Sequence, residues 1–262
     1  MARALLIRGM LVGLLAGILM FAVGRIVGEP QVDRAIAFET ALDAATMQAE
    51  ATAHPDRPVP QPEPELVSRP NQAGPGLLTG TVIYGTAFGG LFALVFAYAY
   101  GRIGTSHARG VSALLATFGL LGLYVIPSLK YPANPPAVGN PDTIGSRTLS
   151  YFTMFAVSLA GMIGGLVARQ RLSARFGGWN ASLIAIGGYV IVVGIAMLVL
   201  PPVQEVPEGF PAVVLWNFRI ASLAMQTTLW ATLGLVFGSL TEMSLVDRWS
   251  NAPGRRPSTL VR

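Results

Sequence analysis

Two sets of polar residues stand out in a chain that is otherwise short of them. Arg219, Ser222 and Gln226, with Asn217 close by, fall in the outer half of the last apolar run, and their spacing of three and four puts the first three on one helix face. Glu29 and Asp33 are four residues apart at the end of the first apolar run, so a helix there places both carboxylates on one side. Asn134, Asn140 and Asp142, in a Pro-rich stretch, add oxygen donors of the type that hard and borderline divalent cations accept. Both sets have a plain alternative: acids at helix starts cap helices, and an interfacial Arg snorkels toward headgroups.

Catalytic chemistry is poorly represented. The two histidines are His54, in a Pro-rich stretch, and His107, in a short loop, and there is no cysteine. That excludes thiolate metal ligands, disulfides and thiol catalysis. No phosphate-cradling Gly-Lys motif or zinc signature occurs, so the chain reads as a non-enzyme with no tightly bound cofactor. Met10, Met20, Met154, Met162, Met197 and Met225 carry thioethers, which suit Cu(I) and more often serve packing. The net charge of +5 comes from dispersed arginines, which argues against nucleic acid as a partner.

The elements that must position these residues are membrane helices. The 262 residues are 52% apolar and 12% charged, about half the charge of a soluble domain. The apolar residues gather in runs near 20 residues long, enough to cross a hydrocarbon core about 30 Å thick. The runs are Leu5 to Val27, Leu77 to Tyr100, Ala108 to Pro127, Leu149 to Ala168, Ala181 to Leu200 and Val213 to Leu240. The first is too long for a signal h-region and lacks a cleavage site, so it reads as an uncleaved helix. The expected fold is an all-α polytopic membrane protein with about six transmembrane helices and both termini cytoplasmic.

Orientation follows from Arg and Lys, which short cytoplasmic loops retain. With the N-terminus inside, Arg3, Arg8, Arg102, Arg109, Arg169, Arg171, Arg175, Arg248, Arg255, Arg256 and Arg262 fall inside, eleven of the eighteen basic residues. The chain then divides into a first transmembrane helix, 1–27; an extracytoplasmic amphipathic helix and Pro-rich linker, 28–76; a five-helix bundle, 77–240, with a Pro-rich outer loop, 128–147; and a cytoplasmic tail, 241–262. Gly9, Gly13 and Gly17, then Gly85, Gly89, Ala93, Ala97 and Gly101, and the pairs Gly161/Gly165 and Gly234/Gly238 recur every four residues. Such stripes let helices approach in lipid or slide along a path.

Several segments resemble the CbtA family of predicted cobalt transporter subunits. They are Arg8-Gly9-Met10 with the Gly-rich first run, Gly28-Glu29-Pro30-Gln31-Val32-Asp33-Arg34-Ala35-Ile36, and Lys130-Tyr131-Pro132-Ala133-Asn134-Pro135-Pro136-Ala137-Val138-Gly139 leading to Pro141-Asp142-Thr143-Ile144-Gly145. Thr228-Leu229-Trp230-Ala231-Thr232-Leu233-Gly234 completes the pattern, which covers essentially the whole chain. The resemblance implies cobalt(II) as substrate, uptake linked to cobalamin synthesis, and a small one-helix membrane partner, CbtB, with a histidine motif. The ligand inventory agrees, because oxygen donors alone discriminate poorly among divalent metals and this chain has no intramembrane imidazole.

Three functions compete: a cobalt uptake subunit of a bacterial inner membrane, embedded in membrane lipid; a non-conducting scaffold that binds partner helices through its Gly faces; and a membrane enzyme. An unpaired Arg in a cation path repels its substrate. Arg219 is therefore expected to pair with Glu29, Asp33 or Asp142, Glu29 first, closing the outer mouth. Arg69, placed in the mobile linker, is expected to matter less.

Overall fold

A computed structural model describes residues 2–54, 66–102 and 107–250, the last five without their side chains. Residues 55–65 of the expected Pro-rich linker and 251–262 of the expected tail lie outside the described residues. Among the described residues there is no strand, and five helical segments are long and apolar enough to cross a membrane: Ala2–Ala53, Arg69–Ala99, Ala108–Lys130, Pro141–Val199 and Ala212–Leu245.

Helix α1 (Ala2–Val23) runs through a wide π-turn (Gly24–Gly28) directly into α2 (Glu29–Ala53). The first helix therefore does not end at Val27 before a separate surface helix. The 52 residues of this segment span about 78 Å at 1.5 Å per residue, far more than a hydrocarbon core. The helix survives Pro30 because the π-turn resets the hydrogen bonding just before it, with the Glu29 N–H reaching back five residues to the Gly24 carbonyl. The same device recurs at Gln72–Gly76, around Pro75, between α3 (Arg69–Asn71) and α4 (Leu77–Ala99). It recurs again at Leu120–Val125, before Pro127, between α5 (Ala108–Gly119) and α6 (Ile126–Lys130). In lipid, a backbone group freed by proline must find another partner, and a widened turn supplies one.

Helix α7 (Ile144–Val199) holds two expected spans in one segment. Gly177 sits at φ 76°, ψ 160°, outside the helical region. There the chain doubles back: Arg169 Nε donates to Ser182 Oγ at 2.9 Å, Gly165 faces the Ala185 carbonyl, Gly161 faces the Tyr189 ring, and Tyr189 OH meets Ser158 Oγ at 2.9 Å. Partner numbers fall as residue numbers rise, so the arms are antiparallel. Helix α8 (Ala212–Thr232) then passes through a π-turn (Leu233–Phe237) into α9 (Gly238–Ser250).

The chain forms two compact units, one of residues 1–20, 78–117 and 227–262, the other of 21–77 and 118–226. In the first, the glycine stripes are backbone contacts. A methyl on Gly13 would overlap the Gly85 carbonyl, one on Gly9 the Gly89 carbonyl, and one on Gly17 would lie 2.5 Å from the Thr81 carbonyl. Gly234 and Gly238 face Ala116 and Ser112. Phe237 packs edge-on against Phe92 and Phe96, with ring centroids 5.5 and 5.1 Å away. Buried Ser112 donates to the Leu233 carbonyl at 3.3 Å, inside the π-turn. Glu242 caps α5, accepting from the Ala108 and Arg109 N–H groups at 2.6 and 3.3 Å, where a carboxylate meets the positive end of a helix.

The second unit is built around its Pro-rich loop. Tyr131 is buried with Met154 and Val193, and its OH donates to the Pro201 carbonyl at 2.8 Å. Val138 packs with Ala35, Phe210 and Val214, which fixes the loop against α2 and the start of α8.

Candidate functional site

The second unit also holds every expected site residue. Four residues apart on one face of α2, Glu29 and Asp33 converge on a single cation, the guanidinium of Arg69. Arg69 Nη2 contacts Glu29 Oε2, and Arg69 Nε and Nη2 lie 3.0 and 2.9 Å from Asp33 Oδ1. The Glu29 side chain is 9% exposed, that of Arg69 25% and that of Asp33 60%. Two negative charges thus share one positive charge, with the deeper carboxylate shielded from water. Arg69 is held there because Ser68, in extended conformation, opens a short helical turn with Pro70 in its first positions. Arg69 is consequently not part of a mobile linker. The signal was present in the sequence, since Ser68 with Pro70 two positions later is an N-cap residue ahead of a proline in the first turn.

Arg219 lies elsewhere and meets no acid among the described residues. Its Nη2 donates to Asn134 Oδ1 at 3.0 Å and its Nε to the Ala133 carbonyl at 3.3 Å. The expected pair between Arg219 and Glu29 does not form: Arg69 holds Glu29, and Arg219 donates to two neutral loop oxygens. Arg219 instead fastens the Pro-rich loop to α8. One turn further, Ser222 Oγ accepts from Tyr124 OH at 2.8 Å, while Asn217 and Gln226 are half-buried on the same helix.

The remaining oxygen donors form a third arrangement. Asn140 caps the short turn Pro141–Thr143, its Oδ1 accepting from the Asp142 N–H at 2.9 Å, and the Asp142 side chain is exposed. Glu205 closes this turn from the next loop, accepting from the Asn140 N–H at 2.8 Å and Thr143 Oγ1 at 2.9 Å and pairing with Arg147 Nε at 3.3 Å. These donors hold its carboxyl below the usual range, the Asn140 N–H most, then Thr143, then the charge of Arg147. Gly139, at φ 127°, leaves room for Arg147, since any Cβ there would strike the guanidinium.

The five candidate metal-binding residues thus divide into three: Glu29 and Asp33 on Arg69, Asn134 on Arg219, and Asn140 with Asp142 under Glu205. Among the described residues no three of His, Cys, Asp and Glu gather as a metal site. Glu29 and Asp33 are the only two of the five that bring carboxylates together on one cation. Against this geometry, the family model described as "Probable cobalt transporter subunit (CbtA)" matches residues 2–242. The chain belongs to the CbtA family. No curated protein and no solved structure matches it.

Membership makes this a multi-pass membrane protein of a transporter family whose described cargo is cobalt. Sequence reasoning missed Arg69, Glu205 and Arg147 as site residues. Glu205 gave no local signal, because its partners Asn140, Thr143 and Arg147 lie 58 or more positions away.

Proposed function

We propose that this chain is the membrane-embedded subunit of a cobalt(II) uptake system of a bacterial inner membrane, linked to cobalamin synthesis, in which Glu29 and Asp33 receive the ion on the extracytoplasmic side. The observation that carries this reading is the Arg69 clamp. A guanidinium occupies the two carboxylates where a divalent cation would otherwise sit, so an arriving ion replaces one positive charge by two. Arg69 thereby takes the gating role first expected of Arg219.

Six crossings with both termini cytoplasmic fit the inside-weighted arginines and the antiparallel arms of α7. Oxygen ligands alone select weakly among divalent metals, so a small one-helix partner bearing histidines, of the CbtB type, supplies the selective donors. The scaffold alternative loses support from the glycine faces. Gly9, Gly13 and Gly17 are filled by α4, Gly161 and Gly165 by the other arm of α7, and Gly234 and Gly238 by α5, leaving none of these stripes open to an outside helix.

Radioactive cobalt uptake into cells expressing this chain with the partner, alone, or not at all tests the reading. Uptake is expected with both proteins and is expected to fall at least tenfold in Glu29→Gln. Equal uptake without this chain, or full uptake by Glu29→Gln, removes it.

A further inference from the structure

In the first unit, a groove of about 420 Å³ runs between α1 and the end of the last helical segment. Its walls are two apolar ridges, Ile7, Leu11 and Leu15 at four-residue spacing on α1, and Val236 and Leu240 opposite. Ile7, Leu11, Leu15 and Leu240 are 47, 62, 41 and 42% exposed. Arg8 stands at one end. Its Nη1 donates to Ser244 Oγ at 2.8 Å and to Thr241 Oγ1 at 3.3 Å, both uncharged, and Thr241 is buried. Among the side chains described, which do not include those of residues 246–250, no carboxylate pairs with it and no acceptor engages its Nε or Nη2. The guanidinium is therefore held in place by neutral hydroxyls and does not snorkel freely, and within the described side chains its charge has no counter-charge.

We propose that this groove binds an anionic phospholipid, its phosphate on Arg8 and one acyl chain along the two ridges. Arg8 lies about 9 Å along the helix from Ala2, and Leu11 and Leu15 lie about 4.5 and 10.5 Å further. A chain leaving a phosphate at Arg8 thus follows the ridges toward the hydrocarbon. The guanidinium fork matches phosphate oxygens, and basic pockets between membrane helices suit anionic headgroups. A partner helix is a poorer occupant. It needs a slot about 10 Å wide, and its apolar face would leave the charge of Arg8 uncompensated.

The test is native mass spectrometry of the full chain released from nanodiscs of equal phosphatidylglycerol and phosphatidylcholine, with a photo-crosslinking amino acid at position 11 in a parallel preparation. Phosphatidylglycerol is expected to be retained about fivefold over phosphatidylcholine, because both offer a phosphate to Arg8 but the choline of the second offsets its charge. Arg8→Gln, which keeps an N–H donor and removes the charge, is expected to abolish the preference, and the crosslinker to label lipid. Equal retention in the unaltered chain, a preference that survives Arg8→Gln, or a crosslink to protein in place of lipid overturns the proposal. Should Arg8→Gln fail to elute as a single species, Leu11→Trp fills the groove from an exposed position. An undiminished preference in that variant overturns the proposal equally.

Discussion

Arg69 closes on Glu29 across 40 positions of sequence, and it does so while also holding Asp33. The contact joins the start of α2 to the start of α3, so the cation that neutralises the carboxylates belongs to the segment leading into the second apolar helix. Arg69→Ala leaves a nearly buried Glu29 without its counter-charge. Loss of about 1 to 3 kcal/mol of stability follows, less than for a fully buried pair because Asp33 and Arg69 are partly in water. The same variant is expected to bind Co(II) several-fold more tightly than the unaltered chain in detergent, by calorimetry, since the competing cation is gone. Unchanged or weaker binding would show that Arg69 does not compete with the ion.

Arg219 has a different task. Its bonds to Asn134 and the Ala133 carbonyl tie the Pro-rich loop to α8. Arg219→Ala and Asn134→Ala are each expected to lower stability by about 1 to 2 kcal/mol. The double variant should cost less than the two added together, because both remove the same bond. Thermal unfolding of the four proteins checks this, and strict additivity would sink the latch.

Both results reverse an order that sequence alone suggested, and the reason is physical. Helix runs, glycine stripes and the polar face of α8 are periodic, and periodicity is legible in one chain. Which acid meets which arginine is settled by loop geometry. Arg69 and Arg219 carry the same charge, yet their partners depend on where Ser68 starts a turn and where Asn134 is held. The continuity of α1 into α2 was hidden for a related reason. Pro30 normally signals a helix end, and the π-turn that accommodates it has no residue signature beyond Gly24 and Gly28. The hairpin at Gly177 was legible as two runs, because each is long enough to cross alone.

Glu205 gives the outer loops a pH dependence whose direction follows from its neighbours. The Asn140 N–H, Thr143 hydroxyl and Arg147 guanidinium favour the charged carboxylate, placing its folded pKa below the ordinary value. The stabilisation is fully present above that ordinary value, about 4.3, and is lost as pH falls through the lower folded one. Hydrogen exchange in residues 131–147 should therefore be slow and steady from pH 7 to about 5, after correction for intrinsic rates, with protection falling in more acid solution. In Glu205→Gln, protection should be lower at pH 7 and should not fall further on acidification. A variant with the same acid-dependent loss would place the titrating group elsewhere.

The path of the chain across the membrane can be tested from the same loops. Tyr131 OH bonds the Pro201 carbonyl, and Glu205 bonds Asn140 and Thr143, so the segments before and after α7 lie together. The arms of α7 are antiparallel and meet at Gly177, as the contacts from Ser158 with Tyr189 to Arg169 with Ser182 require. Each arm spans more than about 30 Å at 1.5 Å per residue, enough for a full crossing. With both arms expected to cross, one crossing separates the turn near Ser173 from each of the two loops. Ser68 adjoins Arg69, whose partners Glu29 and Asp33 belong to α2, and Ala35 on α2 packs against Val138 of the Pro-rich loop. Ser68 is thus expected on the loop side and Ser173 opposite. Single cysteines at these positions, in a chain that has none of its own, should react with an impermeant thiol reagent from opposite faces of sealed vesicles. Arginines 169, 171 and 175 lie close to the turn, and their positive charge predicts it on the cytoplasmic side, so Ser173→Cys is expected to label only in inverted vesicles. Labelling of both positions from one face would mean that α7 does not cross twice.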